Sequence, residues 1–129
     1  MSSQHTPTSA PAGLRVLIVE DEILIRMLFE DMLDELGHKV EAAAGHLEEA
    51  VSLARVTACD LAILDVHLNG IKVYPVAEIL EERGIPFIFA TGLADGALPE
   101  KFRGRPTIQK PFQPDILQKM LAQAMAGQR

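Results

Sequence analysis

Leu61-Ala62-Ile63-Leu64-Asp65-Val66 is an apolar run with a single carboxylate near its end. A run of this kind, without polar alternation, reads as a strand covered on both faces, as in a parallel sheet. A carboxylate is costly inside such a core, so Asp65 is expected where the strand emerges, at its carboxyl end. In open parallel sheets the ligand crevice lies beyond those ends. A solvated aspartate opening a turn is the commoner fate of such a residue, so the weight of Asp65 depends on what the other strand ends carry.

Working outward, Leu14 to Val19 is a second apolar run, and it ends in Glu20-Asp21-Glu22. A helix is expected from about Ile23 to Leu36, with Ile25, Leu28, Phe29, Met32, Leu33 and Leu36 at helical spacing and Gly37 as its stop. Lys39 to Ala43 is a weak strand. Leu47, Ala50, Val51 and Ala54 give a second helix its inward face. Asn69-Gly70 marks a turn. Tyr74 to Arg83 is the third helix, with Pro75 in its first turn and Gly84 closing it. Pro86 to Ala90 is another strand, running into Thr91-Gly92. From Leu93 to Arg105 the pattern is helix-poor, and Pro106 to Gln109 makes a short strand before Lys110-Pro111. A last helix begins at Pro114 and is expected to bury Ile116, Leu117, Met120, Leu121 and Ala124.

Strands alternating with helices require right-handed crossovers and a parallel sheet between helical layers. The expected fold is therefore α/β: a flavodoxin-like, doubly wound five-stranded sheet of order 2-1-3-4-5, with the fourth helix short or missing. Residues 14–126 would form one domain behind a flexible tail of residues 1–13. Residues 127–129 are expected to be a C-terminal end with no output domain.

The 129 residues carry 12 basic and 18 acidic side chains, a formal charge of −6, which argues against a nucleic-acid surface or an acidic membrane as partner. Cys59 is the only cysteine, so no internal disulfide exists and a cytoplasmic location is expected, with the thiol buried at the start of the central strand. No run is long enough to span a bilayer, and the Ser-, Thr- and Pro-rich start lacks the pattern of a secretion signal. His38 and His46 read as surface residues near helix ends.

Five strands in this order bring Glu20, Asp21, Asp65, Thr91 and Lys110 to one rim. Three carboxylates would repel one another without a cation among them. Hard oxygen ligands, few in number and leaving room for water and phosphate, suit Mg²⁺. Charge at a helix N-terminus explains Glu22 and competes as an explanation for Glu20 and Asp21. Asp21 is the stronger metal candidate, with Glu20 acting through water. A carboxylate so held is poised to attack phosphorus and become an aspartyl phosphate. Lys110 and Mg²⁺ would neutralise the phosphoryl oxygens, and the Thr91 hydroxyl would donate to one of them.

The set Val19-Glu20-Asp21-Glu22, Leu64-Asp65, Ala90-Thr91-Gly92 and Lys110-Pro111-Phe112 resembles the receiver domain of two-component response regulators. The resemblance spans about Leu14 to Ala126. It implies that Asp65 accepts a phosphoryl group from a histidine kinase or a phosphotransfer protein. It also implies Mg²⁺ ligation by Asp21, Asp65 and the backbone carbonyl of His67, with Glu20 assisting, a switch role for Thr91, phosphate binding by Lys110, and a cis Lys110-Pro111 bond. The run Pro86 to Gly92 further resembles the FAT GUY subgroup. These are typically single-domain alphaproteobacterial receivers paired with HWE-type or related kinases and tied to the general stress response. On this reading the protein is a phosphorylatable switch or phosphate sink, not an enzyme, with an unknown downstream protein as partner.

Three positions depart from the family pattern. Thr107 stands where most receivers carry an aromatic that follows the switch hydroxyl inward. The interval from Thr91 to Lys110 is short, so Leu93 to Arg105 is expected to be a mobile loop permitted by Gly92, Gly96 and Gly104. His67-Leu68-Asn69-Gly70 lacks the usual Pro, and Leu93 stands where the subgroup often has Tyr. The His67 side chain is expected to border the site and tune water access. Two other classes stay open: a phosphorylation-independent adaptor with the receiver fold, and a phosphate-ester hydrolase, which would need a second acid/base and a cap that the chain lacks.

Overall fold

The computed structural model describes residues 12–92, 97–110 and 112–127. In chain order its elements are β1 (Arg15–Val19), α1 (Ile23–Glu35), β2 (Lys39–Ala44), α2 (Leu47–Val56), β3 (Leu61–Asp65), β4 (His67–Leu68), β5 (Ile71–Lys72) and α3 (Tyr74–Arg83). They continue with β6 (Phe87–Thr91), a 3-10 turn at Glu100–Phe102, β7 (Thr107–Gln109) and α4 (Pro114–Ala126). Five strands form one parallel sheet in the order β2-β1-β3-β6-β7. With the small antiparallel β4–β5 hairpin set aside, this is the expected order 2-1-3-4-5.

The apolar runs are continuous because each strand serves two interiors. Successive side chains of a strand point to opposite faces. Leu17, Val19, Ala62, Leu64, Phe87 and Phe89 pack with Ala50, Ala54, Val76, Ala77 and Leu80 of α2 and α3. Val16, Ile18, Leu61, Ile63, Ile88 and Ile108 pack with Phe29, Met32 and Leu33 of α1 and Leu117 and Leu121 of α4. Cys59 is buried against the first of these layers, and burial pushes its thiol pKa up, as suits a packing residue. Arg83 ties α3 to α2, donating through Nη1 to the carbonyls of Ala54 and Thr57, both at 2.8 Å, where α2 runs out of backbone partners.

Four expectations need correction. His38 is buried, not a surface residue: its Nδ1 accepts the Leu14 N–H at 3.1 Å, and Gln118 of α4 lies on its other side. Ile116 is 39% exposed, because the inward stripe of α4 runs through Leu117, Leu121 and Ala124 and Ile116 sits at its edge. Leu28 is likewise at the edge of the α1 stripe and 38% exposed. The described part of the loop between β6 and β7 is anchored. Phe102 is buried among Phe87, Phe89 and Tyr74, with ring centroids 5.5–6.1 Å away. Arg105 pairs with Glu81 and lies 4.6 Å over the Phe87 ring, while Lys101 pairs with Glu78 at 3.3 Å. Leu93, Gly96, the Lys110-Pro111 bond and most of the tail lie outside the described residues. No helix among the described residues is long and apolar enough to cross a membrane.

Candidate functional site

Register decides what meets at the rim. Val19 pairs with Leu64, so the residues that follow them, Glu20 and Asp65, stand beside each other where β1 and β3 end. Asp65 pairs with Ala90 and Thr91 with Gln109, which carries Thr91 and Lys110 to the same edge. The Lys110 N–H donates to the Thr91 carbonyl at 2.8 Å. All five strands are parallel, so every one of these residues is at a carboxyl end.

Glu20 is fully buried and Asp65 nearly so. The Lys110 ammonium lies 3.0 Å from Glu20 Oε1 and 3.2 Å from Asp65 Oδ2. Glu20 Oε2 accepts the Glu22 N–H at 3.1 Å, and Asp65 Oδ1 accepts the His67 N–H at 3.3 Å. Glu20 Oε1 has the Lys110 charge beside it but accepts no hydrogen bond of good geometry, an unusual state for a buried carboxylate oxygen. Asp21, half-buried, accepts the Asn69 N–H on Oδ2 at 2.9 Å.

The electrostatics follow from burial and crowding. Burial, then the neighbouring Glu20 charge, pushes the Asp65 carboxyl up to about 7 in spite of Lys110. Burial also raises Glu20, against the Glu22 amide and Lys110. Burial works against the Asp21 carboxylate too, yet the Asn69 amide and its neighbours hold it below the usual range. Lys110 is opposed by burial but raised overall by Glu20 and Asp65.

Glu20, Asp21 and Asp65 each offer an oxygen, and these oxygens lie within 4.8 Å of one another. Three carboxylates face one ammonium, so a divalent cation would balance the excess charge. An all-oxygen donor set, with a buried Glu20 oxygen that accepts no hydrogen bond of good geometry, fits a hard divalent cation.

Each residue expected at the rim is found there: Glu20, Asp21, Asp65, Thr91 and Lys110, with His67 half-buried beside them in β4. Thr107, by contrast, is exposed on the edge strand, its hydroxyl donating to the Arg105 carbonyl at 3.1 Å. The sequence marks Asn69 only as part of a turn. The Asn-Gly pair announced the turn, but nothing local announces that its amide meets Asp21, 48 residues away.

The response regulator receiver domain family matches residues 16–122 of the chain. The transcriptional regulatory protein PdtaR of Mycobacterium tuberculosis is 38% identical over 106 residues, which are 80% of this chain and 51% of that protein. The solution structure of SdrG from Sphingomonas melonis Fr1 is 43% identical, with a TM-score of 0.76 over 90% of this chain and 96% of that one. A solved PhyR, described as a stress response regulator, is 30% identical with a TM-score of 0.75, over 95% of this chain and 48% of that one. The chain thus spans about half the length of the curated relative PdtaR.

Proposed function

The chain belongs to the response regulator receiver family, and from that membership we propose that Asp65 accepts a phosphoryl group from a histidine kinase or phosphotransfer protein of a two-component phosphorelay. The observation that carries the reading is the meeting of Lys110 with Asp65 and Glu20, at 3.2 and 3.0 Å, beside Asp21. Receiver domains are phosphoacceptors and generally not enzymes.

In the proposed transfer an Asp65 oxygen attacks phosphorus as the bond to the donor imidazole nitrogen breaks. The electron pair leaves with the imidazole, and an acyl phosphate remains on Asp65. Asp65 must be ionised to attack. Asp21, Asp65 and the His67 backbone carbonyl, with Glu20 assisting, would hold Mg²⁺, which when bound would supply positive charge that favours the ionised state and offsets the charge on phosphoryl oxygens. Lys110 takes a further phosphoryl oxygen, and the Thr91 hydroxyl donates to another. The His67 side chain borders the site and tunes access of water.

A protein donor is supported by Ile23, Leu24 and Met27, 62, 79 and 52% exposed on α1 just after the acidic residues. The output is in the general stress response, which similarity to the PhyR stress response regulator supports, and the kinase is of the HWE or a related type, a reading that rests on the Pro86–Gly92 run. The phosphoryl group adds roughly −1.5 to −2 charge at the rim, which a downstream protein reads or which simply drains the relay. The setting is cytoplasmic, without nucleic acid or membrane as partner, in keeping with the net charge of −6.

A second reading, a phosphorylation-independent adaptor, draws on the outward-facing Thr107. One experiment separates them. Intact mass after incubation with acetyl phosphate should show a single phosphate adduct that needs Mg²⁺ and is absent in Asp65→Asn. A folded, Mg²⁺-binding protein that takes no adduct would put the adaptor first.

A further inference from the structure

In the β4–β5 hairpin Leu68 pairs with Ile71, so the turn is Asn69-Gly70 alone, with φ of 53° and 81°. Two consecutive left-handed residues are what a tight hairpin turn of this hand requires, and Asn tolerates that conformation better than other side chains. Glycine at position 69 would make the turn equally well. Asn69 does more than turn the chain.

Its backbone N–H donates to Asp21 Oδ2 at 2.9 Å, and its side-chain Nδ2 donates to the Gly45 carbonyl at 3.2 Å. One residue therefore joins three loops of the rim: the one after β1, the one after β2 and its own after β3. Gly45 is itself tethered: its N–H donates to Glu49 Oε1 at 3.2 Å, and the carbonyl of the preceding Ala44 accepts the Glu20 N–H at 3.0 Å. The side chain grips a backbone that is already braced against Glu20, and so fixes where the Asn69 amide points.

We propose that Asn69 is a positioning residue for the cation site: its amide holds the Asp21 carboxylate in place before a cation arrives, and its side chain holds the amide. The inference rests on the cation-site reading above. A hydrogen bond to a carboxylate is among the stronger kinds, and it occupies only one of the two oxygens. Ordering Asp21 in advance removes part of the entropy that binding would otherwise cost. Hydrogen-bond partners of metal ligands commonly change metal affinity by about 10–100-fold when removed.

The decisive variant is Asn69→Gly, which keeps the backbone N–H and the left-handed turn but loses the grip on Gly45. Mg²⁺ titration by calorimetry on the unphosphorylated protein, thermal melting, and hydrogen exchange of the residue-69 amide without Mg²⁺ are the readouts. The expected result is Mg²⁺ binding about tenfold weaker than wild type, an unchanged melting temperature, and faster exchange at residue 69. Equal Mg²⁺ affinity in the two proteins overturns the inference and leaves Asn69 a turn residue, with the cation site intact. Wild type that binds no Mg²⁺ overturns both the inference and the cation-site reading.

Discussion

The Lys110 ammonium lies 3.2 Å from Asp65 Oδ2, so the cation proposed to bind a phosphoryl oxygen is already engaged with the carboxylate proposed to accept the group. Lys110→Ala removes both the attraction that keeps Asp65 from a still higher pKa and a donor to the developing phosphoryl charge. The rate of Mg²⁺-dependent labelling by acetyl phosphate is expected to fall by about 100-fold or more. Time-resolved intact mass measures it, and a rate like that of wild type would remove Lys110 from the transfer.

Asp65 makes stability depend on pH in the metal-free protein. Its folded pKa is pushed up to about 7, whereas the unfolded carboxyl titrates near about 3.9. A group raised on folding contributes stability that is full below the unfolded value and lost as pH rises through the folded one. Asp65→Asn abolishes this titration. In EDTA, the variant should gain stability relative to wild type between about pH 5 and about pH 8, at about 1.4 kcal/mol per pKa unit at most. Urea denaturation at the two pH values tests this, and a gap that stays constant would contradict the assignment.

His38 titrates in the opposite sense. Because Nδ1 accepts the Leu14 N–H, a neutral imidazole carries its proton on Nε2. Burial lowers the pKa, with Gln118 opposing. A His depressed on folding contributes stability that is present above the unfolded pKa of about 6.5 and lost as pH falls. Nitrogen-15 spectra of the imidazole should show the Nε2–H tautomer and a midpoint below the ordinary value. An ordinary midpoint, or the other tautomer, would refute the buried arrangement.

Phe102 is the anchor of the segment between β6 and β7, 2% exposed among three other rings. Phe102→Ala should cost about 3–5 kcal/mol in urea unfolding. Amides from 97 to 105 should also exchange faster than in wild type. A cost under about 1 kcal/mol would show that the segment is not held through this ring.

The sheet order and the four α-helices among the described residues were legible because strand runs, helical spacing and glycine or proline punctuation agree with one another along the chain. The rim was legible for a related reason: in a parallel sheet, residues that follow apolar runs must share one edge. What was hidden depends on distant partners. His38 follows a helix-stopping glycine and looks solvated; Gln118, 80 positions later, helps to cover it. Phe102 stands in a stretch with no period, so its burial among Phe87 and Phe89 leaves no local trace. The grip of Asn69 on Gly45 is likewise a contact between loops, invisible to any pattern of neighbours.

Ile63 and Leu64 are adjacent in β3 yet belong to separate interiors, one shared with α1 and α4, the other with α2 and α3. Substitutions at these two positions therefore perturb different helical layers, whereas Leu64 and Phe89, paired across strands on one side, disturb the same one and should couple. Mutational histories on the two sides can therefore run independently. One helical layer can be remodelled for a new partner while the other keeps its packing, provided the strand ends that carry Asp65 and Lys110 stay in register.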